Sequence, residues 1–160
     1  MRRTQTLILN IAFAITLLVP LHALANMGAD DSSPATGDPT IEEAKKAVDA
    51  RDWKRAVELL TKAAASDPNN ANVQNWLGFA QRKSGNLDAA FSAYNAALQL
   101  NPGHKAAHEY IGEAYLMTGN LAKAEEHLAQ LQKLCNPIPC EEYNDLRGAV
   151  DDYKKTHAKK

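Results

Sequence analysis

The feature that most constrains this chain is a 34-residue period. Asp52, Asn86 and Asn120 recur at that interval, as do Ala56, Ala90 and Ala124, and Leu60, Tyr94 and Leu128. The segments DPTIEEAKKAVDARDWKRAVELLTKAAASDP, NVQNWLGFAQRKSGNLDAAFSAYNAALQLNP and KAAHEYIGEAYLMTGNLAKAEEHLAQLQKLCN align on it without gaps, and Pro68 and Pro102 close the first two. Such a unit has room for two helices and a turn, and it buries its apolar face only by stacking on a neighbour.

The punctuation inside each unit agrees with a helical pair. Asp52, Asn86 and Asn120 have short side-chain oxygens suited to capping the second helix. Gly85 and Gly119 precede two of them and can take the left-handed backbone that ends the first helix. Arg51 stands at the same place in unit one and must adopt that conformation under strain or use another turn. The first helix opens at Asp38-Pro39, a cap followed by a proline whose missing N–H costs nothing, with Thr40 and Glu43 in capping-box spacing. Alanines at 56, 63, 90, 97 and 124 allow close approach, while Leu60, Tyr94, Leu98, Leu100, Leu128 and Leu131 fill the gaps. Beyond the third unit, Tyr143, Leu146, Val150 and Tyr153 make one apolar stripe on a last helix, from Glu141 to about residue 155. That stripe is expected to cover the open end of unit three.

These residues resemble the tetratricopeptide repeat. The family's Leu-Gly pair stands at Leu77-Gly78 and, as Ile-Gly, at Ile111-Gly112; its first-helix tyrosine is Tyr115, and its second-helix Ala-x-x-x-aromatic runs from Ala90 to Tyr94. The resemblance covers residues 38–136, with departures in unit one, where Glu43-Ala44 replaces Leu-Gly, and at Gln74, where the family has tryptophan and this chain places Trp76 two residues later. It implies an all-α, right-handed helical-hairpin solenoid of three units (38–70, 71–104, 105–136), followed by a capping helix (137–155) and a basic tail (156–160).

In this family the first helices line a concave groove for a peptide or protein partner. Carried over by position, the groove residues are Asn72, Asn75, Phe79, Arg82 and Lys83 of unit two, Glu109, Glu113, Leu116 and Met117 of unit three, and Ile41, Lys45, Val48 and Asp49 of unit one. The carboxylate clamp of cytosolic cochaperone members is not expected, because its places hold Ile41, Lys45, Trp76, Ala106 and Tyr110, with lysine the only cation.

The amino terminus sets the expected compartment. Arg2 and Arg3, an apolar run from Leu7 to Leu21, and Ala23-Leu24-Ala25 read as a secretory signal peptide over residues 1–25. Its apolar run of about 15 residues is short of the roughly 20 that span a bilayer, so no stable membrane insertion is expected after cleavage. The stretch 26–37 is small, polar and aperiodic, a flexible leader. An exported, periplasmic protein is the expectation. Of the 18 Lys plus Arg against 19 Asp plus Glu, Arg2 and Arg3 leave with the signal peptide, and a balance of 16 against 19 is no footprint for nucleic acid.

The chain has two cysteines, Cys135 and Cys140, within LCNPIPC. Pro137 stops one helix and Pro139 suits the start of the next, so a turn could bring the sulfurs together as a structural disulfide. A redox pair is the alternative, with Cys140 activated at a helix start and Cys135 resolving it. No phosphate loop, nucleophile elbow or HExxH is present, and His104, His108, Glu109 and Glu113 lack the spacing of a defined metal set. No catalytic residue, cofactor or metal is therefore assigned. The expected role is a noncatalytic interaction or assembly module; a thiol-disulfide accessory and a self-associating structural protein, a homo-oligomer, are the alternatives.

Overall fold

The computed structural model describes residues 38–157, which form seven helices: α1 (Pro39–Asp49), α2 (Trp53–Ser66), α3 (Ala71–Lys83), α4 (Leu87–Leu100), α5 (Lys105–Met117), α6 (Leu121–Leu134) and α7 (Glu141–His157). The signal peptide, the leader and residues 158–160 of the basic tail lie outside the described residues. Among the described residues no helix is long and apolar enough to cross a membrane. Helices α1 to α6 pair as three hairpins, each stacked on the next, and α7 packs on both α5 and α6.

Sequence explains most helix ends. Asp38 accepts from the Thr40 N–H at 2.8 Å, Asp52 from Arg55 at 3.1 Å and Asn120 from Lys123 at 3.2 Å. Two expectations fail. Asn86 makes no side-chain cap; its amide donates instead to Gln81 Oε1 at 3.0 Å. No capping box forms at Thr40, because the cap is Asp38 and Glu43 reaches across to Arg55 of α2. The glycine turns behave as the pattern requires, with φ of 83° at Gly85 and 79° at Gly119, and Arg51 takes the same turn at φ 57°.

The core follows the repeat. Ala56, Ala90, Ala97 and Ala124 are wholly buried, and so are Tyr94, Leu131 and Leu146. Leu100 is an exception: at 40% exposed it lies at the end of α4, beyond the stacking surface. The α7 stripe docks as expected, with Leu146 and Val150 buried among Ala124, Leu128, Leu131 and Leu116. A 17-residue helix with a mean hydropathy far on the polar side is held by that one stripe, which is what an end cap facing solvent requires.

Candidate partner-binding groove

Helices α3 and α5 occupy equivalent places in successive hairpins, and the 34-residue spacing sets their side chains against each other. The Phe79 ring lies 5.1 Å from the Tyr110 ring. Arg82, 7% exposed, forms an ion pair with Glu113, and its guanidinium stands 5.6 Å from the Phe79 ring and 5.5 Å from the Tyr110 ring. A charge this buried is tolerable because it has a carboxylate partner and two aromatic faces. The arginine fastens unit two to unit three at the floor of the groove.

Beside it is a cavity of about 140 Å³ lined by Val48, Asn75, Trp76, Phe79 and Tyr110. Its lining is mostly apolar, and it includes Asn75, which is 1% exposed and whose Oδ1 accepts no hydrogen bond. An unsatisfied buried acceptor costs about 1–3 kcal/mol, so its presence at a cavity wall calls for a reason. Trp53 and Trp76 pack edge-on against Phe79 at 6.0 and 6.3 Å.

The other end of the groove is acidic. Glu109 is 8% exposed, and burial first, then the carboxylates of Glu113, Asp145 and Glu142, push its pKa up to about 8; Arg82 opposes them. Tyr110, next to it, is pushed up to about 12 by burial and by Glu109. Two of these acids, Glu142 and Asp145, come from α7, so the capping helix also builds part of the groove wall.

The residues expected to line the groove divide. Asn75, Phe79, Arg82, Glu109 and Glu113 come together with Val48. Lys83 lies over the outer side of Phe79 at 5.3 Å, and Met117 is 57% exposed at the end of α5. Asn72 is drawn into the unit junction, where its Oδ1 accepts from His104 Nε2 at 2.9 Å. Leu116 packs under α7. Ile41 is core, buried with Ala63 and Val73, and its repeat equivalents Asn75 and Glu109 are buried as well. Lys45 pairs with Glu42 at 3.8 Å, and Asp49 is exposed. Trp76 and Tyr110 were not expected as cavity walls, although they are themselves 34 residues apart and so share a place in the repeat.

The histidines serve packing. His104 caps α5, with Nδ1 accepting from the Ala107 N–H at 3.2 Å and Nε2–H donating to Asn72. His108 Nε2–H donates to the Pro102 carbonyl at 3.0 Å, which leaves Nδ1 to accept from His127 Nδ1–H at 2.9 Å. Burial holds His108 below its usual range, and burial with the neighbouring His108 holds His127 down to about 4.

Tetratricopeptide repeat family profiles match residues 41–104 and 81–134, which together run without a gap through all three hairpins. The chain belongs to the tetratricopeptide repeat family. No curated protein matches it in sequence. Among solved structures, it is similar to the type III secretion translocator chaperone SycD of Yersinia enterocolitica, with 18% identity and a TM-score of 0.66 over 73% of this chain and 82% of that one. It also resembles the first tetratricopeptide domain of human RPAP3 (23% identity, TM-score 0.61, 72% of this chain and 93% of that one) and MamA from MSR-1 (29%, 0.56, 59% and 55%).

In this tetratricopeptide protein the third unit joins α7 through the cysteines. Their sulfurs are 1.99 Å apart and their Cα atoms 5.4 Å apart. Cys135 ends α6, and Cys140 lies just outside α7 as its cap, its carbonyl accepting from the Asn144 N–H at 3.2 Å. Glu142 is the one further metal-ligating group close to both sulfurs among the described residues, and with the sulfurs bonded to each other the three make no ligand set.

Proposed function

We propose that this protein is a noncatalytic interaction or assembly module of the periplasm that holds a peptide or protein partner in its concave groove. The observation that carries the proposal is the Asn75 carbonyl, buried and without a donor at the wall of an apolar cavity open to the groove. A partner backbone N–H would satisfy it. Structural neighbours give the reading support in kind: SycD has been seen in complex with a peptide of the translocator YopD, and a related RPAP3 domain with an HSP90 peptide. Export is supported by the basic start, the apolar run and the small-residue cleavage site of the first 25 residues. In that compartment the Cys135–Cys140 pair serves as a clasp between α6 and α7, since disulfides persist there.

The test is site-specific photocrosslinking in cells. A photoreactive residue at Val48, which lines the cavity, should yield discrete adducts, whereas one at Ala129, exposed on α6, should not. Identical adduct patterns from the two positions would remove the groove from the account; an adduct at twice the monomer mass would name a second copy as the partner.

A further inference from the structure

The groove is asymmetric in chemistry, and that asymmetry describes its occupant. At one end is a mostly apolar cavity of about 140 Å³ lined by Val48, Trp76, Phe79, Tyr110 and Asn75, whose Oδ1 is buried and accepts nothing. At the other end Glu109, Glu113, Glu142 and Asp145 gather from α5 and α7 around one cation, Arg82, which is committed to Glu113. We infer that the groove takes an extended peptide segment carrying one branched aliphatic or small aromatic side chain and, two or three residues away, a lysine or arginine.

Each part of that description follows from a separate observation. A closed apolar cavity of about 150 Å³ can hold a benzene ring, so one side chain of leucine to phenylalanine size fits. The segment is extended because Asn75 needs a free backbone donor, and within a helix all but the first N–H groups are already used. The cation follows from charge complementarity: with Arg82 paired to Glu113 and Glu109 holding its proton up to about pH 8, the carboxylates of Glu142 and Asp145 on α7 are left to meet a positive charge. The spacing follows from geometry. Packed helices lie roughly 8–10 Å apart and an extended chain advances about 3.3 Å per residue, so α3 to α5 is crossed in two or three residues. The acidic leader 26–37, with Asp30 and Asp31 and no basic residue, is the wrong chemistry to fill the groove itself.

The inference rests on the groove reading above and can fail separately from it. The mature chain is used to select from a displayed library of random nonapeptides, and affinities of the recovered peptides are read by intrinsic fluorescence. The only two tryptophans, Trp53 and Trp76, both adjoin Phe79 and report on the cavity. Two variants accompany the wild type: Asn75→Ala, which removes an unpaired group, and Glu142→Lys with Asp145→Lys on α7; circular dichroism confirms that each is folded. The expected result is enrichment of an apolar residue with lysine or arginine two or three positions away. Asn75→Ala should weaken these peptides at least fivefold, and the charge reversal should abolish the basic preference while sparing the apolar one. Peptides that are acidic or lack a cation at that spacing, yet still depend on Asn75, overturn the ligand chemistry and leave the groove standing. Peptides indifferent to both variants overturn the groove as well.

Discussion

Gly112 gives Leu146 its seat: a Cβ built on Gly112 would lie 2.6 Å from Leu146 Cδ2 and 2.8 Å from Cδ1. This contact is what lets α7 press against α5 and bring Glu142 and Asp145 to the groove. Leu146 is wholly buried, so it has little room to withdraw. Gly112→Ala should therefore lower stability by about 1–2 kcal/mol, the strain of an extra methyl outweighing the better helix propensity of alanine. Gly148 of α7 meets nothing within 4 Å, and Gly148→Ala should raise stability by about 0.5–1 kcal/mol. Urea unfolding of the two variants checks the opposite signs.

Arg51 occupies the left-handed turn that glycine takes in the other two units. A side chain there costs roughly 1–2 kcal/mol, of which glycine recovers part because it loses more chain entropy on folding. Arg51→Gly should raise the thermal midpoint by a few degrees. An unchanged or lower midpoint would mean that the Arg51 side chain contributes contacts worth as much as the strain.

Two buried clusters should give stability opposite dependences on pH. The His108–His127 pair is held below the usual histidine range, so as pH falls below about 6.5 the unfolded chain takes up protons first and stability is lost, down to about 4 for His127. Glu109 is raised, so between about 4.5 and 8 the folded chain keeps a proton that the unfolded chain releases, and stability falls as pH rises through that window. Each proton contributes a slope of at most about 1.4 kcal/mol per pH unit. Glu109→Gln should thus be stabilising by an amount that grows from pH 5 and levels off above pH 8, and His127→Asn, which retains a donor for His108, should flatten the acid side. Parallel denaturation curves across pH 4–9 would show both; a Glu109→Gln difference that does not change with pH would contradict the burial argument.

The cysteine clasp closes a short ring, for which chain entropy gives about 2 kcal/mol. Reduction, or Cys135→Ser with Cys140→Ser, should lower stability by that order and raise hydrogen exchange in α7 more than in α1 to α4. A reduction potential below about −300 mV is expected of a structural bond; a value near −200 mV would favour the redox alternative.

The repeat was plain in the sequence because its signals are local and recur three times. Caps such as Asp52 and Asn120, turns at Gly85 and Gly119, and the buried alanines each depend only on neighbours within one hairpin. What escaped depends on how elements meet. Ile41 sits at a groove position by register, but that position is buried in every unit, and in unit one it packs with Ala63 and Val73, the latter from the next hairpin. Asn72 was lost to the groove because His104, which caps α5, needs a partner for its second ring nitrogen. The contribution of Glu142 and Asp145 could not be read at all until the seat between Gly112 and Leu146 fixed where α7 lies. Within unit two the groove register did place Asn75, Phe79 and Arg82 together, while the cavity they share with Trp76 and Tyr110 is a product of packing.

The central claim is that the concave face between α1, α3, α5 and α7 is where a partner binds. It is tested most directly by titrating isotope-labelled mature protein with the tightest peptide from the displayed library and mapping amide chemical-shift changes by NMR. The account predicts changes concentrated at Val48, Asn75, Phe79, Tyr110 and Glu109, with the Asn75 side-chain resonances among the largest; changes confined to α2, α4 and α6 on the outer face would contradict it.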